Sequence, residues 1–115
     1  MIKKRGDLAN TVRPKLKGGV GEVKITEYVN TQDAMVNCRL LCEQEIPVGG
    51  SIGKHMHLNE TEYYLIRSGR GLVIENHGEY AVGPGDIVVT GHMETHGIVN
   101  TGDIPLTMTA IIVTH

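Results

Sequence analysis

From residue 22 onward, apolar and polar residues alternate along short segments that are separated by turn residues. The alternation is clearest in 22–29 and 34–46, and the second segment places on one face Val36, Cys38, Leu40, Cys42 and Ile46. A period of two residues is typical of a strand with one buried face. Further strand-like segments are 61–67, 70–75, 79–82, 86–90, 95–99 and 105–114. This pattern predicts an all-β sandwich or barrel, with at most a turn or two of helix near residues 7–17.

Composition supports the same fold class. The chain has 115 residues, enough for one domain, and it contains 23 Val and Ile residues against 8 Leu. Its net charge of −2 excludes a strongly basic nucleic-acid binder, and its apolar runs are too short for a membrane span. Cys38 and Cys42 would lie about 13 Å apart on a strand, too far for a disulfide. We therefore expect a cytoplasmic protein with no nucleic-acid or membrane partner.

The first residues carry a different charge from the rest of the chain. Residues 1–17 hold six basic residues and one acid, a balance of +5, whereas residues 18–115 hold five basic residues and twelve acids, a balance of −7. We predict a basic arm at residues 1–21 and a barrel at residues 22–115. The arm is expected to be solvated or to cover a sheet edge in a homodimer, and anion binding is the alternative.

Histidines provide the main chemical signal. In an extended segment His55 and His57 point to the same face, about 6.6 Å apart at the backbone, so both imidazoles can reach one ion. Glu62 follows a short turn at 58–60 and is expected on the neighbouring antiparallel strand, while His96 begins a later strand. Glu60 is an alternative ligand, but we expect it in the turn. Three nitrogens and one carboxylate oxygen suit one divalent ion, with Mn or Fe favoured and Zn, Ni or Co possible.

An HxH pair alone also occurs by accident, but its surroundings form a longer motif. Gly49, His55, His57, Glu62 and Gly69 have the spacing of the first signature motif of the cupin superfamily. The second motif is matched by three residues, Gly85, His96 and Asn100. The chain thus resembles small single-domain cupins of the oxalate-decarboxylase-like cupin 2 group.

The resemblance implies a single antiparallel jelly-roll β-barrel. It also implies His55, His57, Glu62 and His96 as metal ligands, a manganese-type ion and a small carboxylate substrate. The chain departs from the second motif at two positions, where Gly91 replaces the usual Pro and Met93 the usual Gly. The shape of the 91–95 loop is therefore open.

Other residues are weaker candidates for contacts with substrate. Counting by twos from Glu62 places Tyr64 inward, where it could offer a hydroxyl near the metal or simply fill the core. Arg39 could clamp a substrate carboxylate, or it could lie on the surface. His92 lies four residues before His96 and could handle a proton, or it could be a solvated loop residue. His77 and His115 are expected to be solvated.

Two functions remain open from the sequence. The favoured one is a metalloenzyme, such as a decarboxylase, dioxygenase or isomerase, that acts on a small carboxylate, keto acid or sugar acid. The alternative is a non-catalytic cupin that uses its metal to bind or sense a small molecule. Because the chain lacks Phe and Trp, it offers no large aromatic wall, and a small anionic ligand is expected.

Overall fold

A computed structural model describes residues 1–30, 32–33 and 35–115. Ten strands make up most of it: β1 Ala9–Pro14, β2 Glu22–Glu27, β3 Cys38–Ile46, β4 Ser51–Met56, β5 Glu60–Ser68, β6 Gly71–Glu75, β7 Gly78–Val82, β8 Ile87–Thr90, β9 Thr95–Asn100 and β10 Leu106–Thr114. Within these described ranges, helix is confined to two single 3₁₀ turns, Arg5–Asp7 and Leu16–Gly18. The predicted all-β fold with little helix is confirmed. In the described part of the chain, no helix is both long and apolar enough to cross a membrane.

The strands form two antiparallel sheets. One has six strands in the order β1-β2-β3-β10-β5-β8, and the other has four in the order β4-β9-β6-β7. Strands that are distant in sequence are neighbours in both sheets, as in the predicted jelly roll. The inward faces of both sheets supply one core, whose members include Ile46, Ile66, Val73, Ile98 and Met108.

The core follows the period of two that the sequence predicts. Burial alternates along β5 and β10, and Tyr64 and Ile66 lie on the inner face with Glu62, as expected. Strand β3 begins at Cys38 rather than within 34–37. Asn37 has a left-handed backbone with φ 55°, which breaks the extended chain, and Val36 is exposed. The predicted start of this strand, Ala34, lies outside the described residues.

The N-terminal segment adds a strand to the larger sheet. Residues of β1 pair with β2 from Ala9 opposite Glu27 to Pro14 opposite Glu22. After β1, the 3₁₀ turn at Leu16–Gly18 packs on β4, where a Cβ at Gly53 would lie 1.9 Å from the Lys17 carbonyl oxygen. The division of the chain after residue 21 and the homodimer stay predictions.

Candidate metal centre

Four side chains from both sheets meet inside the fold. His55 in β4 lies directly opposite His96 in β9, and His57 follows β4 with its backbone still paired to the loop before β9. Glu62 comes from β5, which belongs to the facing six-stranded sheet. The expectation that Glu62 lies on the strand next to the HxH pair was therefore wrong. The chain crosses between sheets after His57, so Glu62 reaches the histidines across the interior.

The four ligand atoms are spaced as neighbours around one ion. His57 Nε2 lies 3.0 Å from His96 Nε2, which lies 3.2 Å from His55 Nε2. Glu62 Oε1 lies 2.9 Å from His96 Nε2, 3.1 Å from His57 Nε2 and 4.0 Å from His55 Nε2. Two ligands about 2.1 Å from an ion and at right angles to each other are about 3.0 Å apart. The residues present thus fit a divalent metal ion.

Each imidazole is held through its other ring nitrogen. Nδ1 of His55 lies 2.7 Å from the Gly53 carbonyl oxygen, and Nδ1 of His57 lies 2.5 Å from Glu60 Oε2. Both partners accept a hydrogen bond, so Nδ1 of each ring carries a proton and Nε2 is the nitrogen that faces the cluster. Nδ1 of His96 lies 2.7 Å from Thr90 Oγ1. Such contacts orient metal-binding histidines and raise their basicity.

Glu60 connects this cluster to Arg39. The Arg39 guanidinium donates two hydrogen bonds of 2.7 Å, from Nε to Oε1 and from an Nη to Oε2 of Glu60. Arg39 lies at a register shift of β3, where Leu40 pairs with Ile112 and Cys38 with Val113, so Arg39 has no partner on β10, and its side chain is about half exposed beside Glu60. An extra residue of this kind redirects its side chain. Glu60 begins β5 and is buried, so the expectation that it lies in the turn was wrong.

Burial and charge set the protonation states in the cluster. Burial acts to raise the pKa of Glu62, but hydrogen bonds from the three histidines outweigh it and lower the pKa. The pKa of Glu60 falls to about 2, chiefly through its bond from Arg39. The pKa of His96 is lowered by burial, whereas that of His57 is raised by its bonds to Glu62 and Glu60. Glu62 and Glu60 are therefore carboxylates near neutral pH.

Tyr64 stacks on the cluster. Its ring is 4.8 Å from that of His96, centroid to centroid, with an angle of 12° between the planes, and its hydroxyl lies 3.4 Å from His96 Nε2. Burial raises the pKa of this hydroxyl, and the charge of Glu62 acts in the same direction. The phenol therefore remains protonated and can donate a hydrogen bond toward the cluster.

Sequence comparison identifies the family to which this fold and ligand set belong. A family model described as a cupin domain matches residues 42–112, more than half of the chain. The chain is a cupin.

A similar protein sequence and a similar solved structure come from Thermotoga maritima. The oxalate-binding protein is 33% identical over 98 residues, which is 85% of this chain and 81% of that protein. A crystal structure described as a predicted oxalate decarboxylase from the same organism covers 100% of both chains, with a TM-score of 0.94 and 29% identity. The structure of the polyketide cyclase RemF from Streptomyces resistomycificus has the same fold, with a TM-score of 0.79 and 21% identity. The match covers 99% of this chain and 80% of the RemF chain.

The cupin cluster lies in the wall of a cavity of about 240 Å³. Its lining combines three kinds of residue: the ligand set, represented by His55, His57 and Glu62; the cationic residues Arg13, Lys17 and Arg39; and mainly apolar or neutral residues, which are Leu16, Ile25, Leu40, Gln44, Ile52, Met56, Tyr64 and Ile112. Of the candidates for substrate contact, Arg39 and Tyr64 thus lie at the cavity. Its small size and basic residues suit a small anion.

The structure places the other histidines away from the cluster. His92 is exposed, its Nδ1 accepts a hydrogen bond of 2.9 Å from the Asn59 N–H, and it is not part of the described cavity lining. His77 lies in the two-residue turn between β6 and β7, and His115 contacts Thr61 at the surface.

The 91–95 loop before β9 keeps a left-handed backbone at Met93, with φ 63°. Met93 therefore takes a conformation that favours Gly.

Sequence reasoning missed one buried residue at the site, Thr90, and misplaced another, Glu60, which it considered only as an alternative ligand within the turn. Thr90 is the sixth residue before His96, and nothing in that spacing predicts their contact. For Glu60 a signal was available, because it precedes Glu62 by two positions and so shares its face of a strand.

Proposed function

We propose that this cupin binds a small carboxylate in a metal-dependent manner. His55, His57, Glu62 and His96 would hold one divalent ion, with Mn or Fe expected. The observation that carries the proposal is the combination of this cluster with a small cavity lined by three cationic residues. The name of the oxalate-binding relative agrees with a ligand of this class.

Each part of the cavity would contribute to binding. The ion, when bound, supplies positive charge and can be coordinated by the carboxylate oxygens of a ligand. Tyr64 can donate a hydrogen bond beside it, and Arg13 and Lys17 add positive charge at the cavity. Arg39 is already held by Glu60, so its first role is to fix that carboxylate against His57.

Binding is favoured over decarboxylation because the cavity lacks a free acid. Glu62 is the one carboxylate in its described lining, and it belongs to the ligand cluster. Both oxygens of Glu60 are engaged, and Glu94 is exposed and accepts a hydrogen bond from the Gly91 N–H at 2.8 Å. Neither offers a proton to a ligand in the cavity.

Calorimetry on protein loaded with Mn²⁺ tests the proposal. We expect one ion per chain, oxalate binding only in the loaded protein, and loss of both in His96→Ala. His77→Ala is the matched control, because it removes an exposed histidine from a turn. Unchanged metal content in His96→Ala, or equal oxalate binding with and without metal, would refute the proposal.

A metalloenzyme is the second candidate, and Tyr64 favours it. Its buried phenol, 3.4 Å from His96 Nε2, is placed to hold a proton beside a ligand on the ion. Turnover of oxalate or related acids in air, abolished by Tyr64→Phe with metal content unchanged, would support catalysis. Binding without turnover across these acids would leave the protein as a binding cupin.

A further inference from the structure

Gln44 carries a buried polar atom that no described residue satisfies. Its side chain is on the inner face of β3, the residue is 5% exposed, and its Oε1 has no hydrogen-bond partner in the described part of the chain. The neighbouring inward residue is Cys42, which is fully buried, and among the described residues no hydrogen bond joins its thiol to Gln44 Oε1. A buried oxygen left without a donor destabilises the folded protein, so a ligand group that supplies the missing hydrogen bond is favoured.

Gln44 lines the same cavity as the metal cluster but lies farther along it. Ile112 of β10 pairs with Glu62 of β5 on one side and with Leu40 of β3 on the other, so Leu40 is level with Glu62 in the sheet. Gln44 is four residues beyond Leu40 on β3. Four residues of strand span about 13 Å. A two-carbon acid on the ion would therefore leave Gln44 Oε1 unsatisfied, whereas a longer acid could extend toward it.

The cavity between these two points limits what the ligand can be. Its remaining walls include the apolar residues Ile25, Leu40, Ile52 and Ile112, which suit a short carbon chain, together with the cationic residues already named. Two features of the cavity bear on the ligand: the ligand cluster, which is positively charged when its ion is bound, and the acceptor Gln44 Oε1, which lies farther along β3. A ligand that satisfies both has a carboxylate at one end and a hydroxyl at the other.

We propose that the cavity takes a hydroxylated carboxylate, such as a sugar acid of four to six carbons, whose distal hydroxyl donates a hydrogen bond to Gln44 Oε1. This inference rests on the proposed binding of a carboxylate at the metal. It makes Gln44 the residue that distinguishes hydroxylated acids from their deoxy counterparts.

The test compares pairs of acids on Mn²⁺-loaded protein by calorimetry. The pairs are gluconate with 2-hydroxyhexanoate and threonate with 2-hydroxybutyrate, and oxalate serves as the reference acid. The preference for gluconate is the dissociation constant of 2-hydroxyhexanoate divided by that of gluconate. We expect this preference to be about 5- to 30-fold larger in the wild type than in Gln44→Met. Oxalate affinity and metal content should be the same in both proteins.

Gln32→Met is the matched control, since it makes the same change at an exposed loop position. Gln44→Asn withdraws the acceptor by one methylene and should also reduce the preference, which provides a second variant if the Met variant folds poorly. An equal preference in wild type and Gln44→Met would overturn the inference while oxalate binding upheld the proposed function. Failure of all these acids to bind the loaded protein would overturn both.

Discussion

Replacing Glu60 with Gln should weaken metal binding although Glu60 is not itself in the ligand cluster. The Glu60 carboxylate accepts a hydrogen bond from His57 Nδ1 at 2.5 Å and two from Arg39 at 2.7 Å. Gln keeps the shape of the side chain but removes its charge and one acceptor. In the wild type the Glu60 anion fixes the tautomer of His57 and raises the basicity of its Nε2, and the variant loses both effects.

The magnitude follows from the contacts that are lost. A hydrogen bond to a charged group contributes about 1.5–3 kcal/mol, and each 1.4 kcal/mol is about tenfold in an equilibrium constant. Because Gln retains one acceptor oxygen, we expect the lower end, about a tenfold rise in the metal dissociation constant of Glu60→Gln. Glu60→Leu removes both acceptors and should approach about a hundredfold.

The assay is metal competition with a chelator, accompanied by thermal unfolding of the metal-free proteins. Glu43→Gln is a close control, because Glu43 is likewise a carboxylate paired with arginine, with Arg5 at 2.5 Å and Arg67 at 3.0 Å, and none of its contacts with the described residues is with the ligand cluster. Its metal affinity should stay within about twofold of wild type, since partly exposed ion pairs contribute little. Equal metal affinity in Glu60→Gln and Glu43→Gln would refute the role given to Glu60.

Three further predictions concern the supports of the site and the fold. Thr90→Val removes the 2.7 Å contact to His96 Nδ1 at nearly constant volume and should raise the metal dissociation constant about 3- to 10-fold in chelator competition; an unchanged constant would contradict this. The carboxylate of Glu60 has a pKa of about 2 in the folded protein against 4.5 normally, so its stabilisation is present above pH 4.5 and is lost as pH falls toward 2. Denaturant titrations of metal-free protein should show a flatter decline over that range in Glu60→Gln, and parallel declines would count against it. Gly19→Ala places a Cβ 2.2 Å from a backbone oxygen of β4 and should cost about 2 kcal/mol or more of unfolding free energy, whereas Gly6→Ala, with open space, should cost little; similar midpoints would exclude this packing argument.

Much of the fold could be predicted because its strands have a simple pattern. Strands β5 and β10 each have one buried face, and burial alternates along them. A period of two in the sequence therefore predicts which of their residues belong to the core. The exceptions lie together at the start of β3: Asn37 adopts a left-handed backbone, and Arg39 occupies the register shift of this strand. Both depend on how β3 pairs with β10, more than 60 residues later in the chain.

Spacing along the chain is enough to recognise the family motif and the residue types of the metal cluster. Spacing alone brought His55 and His57 to one side of an extended segment and placed Glu62 and Tyr64 on one face, because the direction of a side chain on a strand depends only on counting. These relations are local and need no knowledge of the partner strands.

The tertiary structure decided which of these residues meet. It paired His55 with His96, brought Glu62 from the facing sheet, placed Glu60 between His57 and Arg39, and left Gln44 without a donor in the same cavity. Each of these contacts joins strands through crossings between two sheets. Their register is set by long-range pairing and packing, which a count along the chain does not contain.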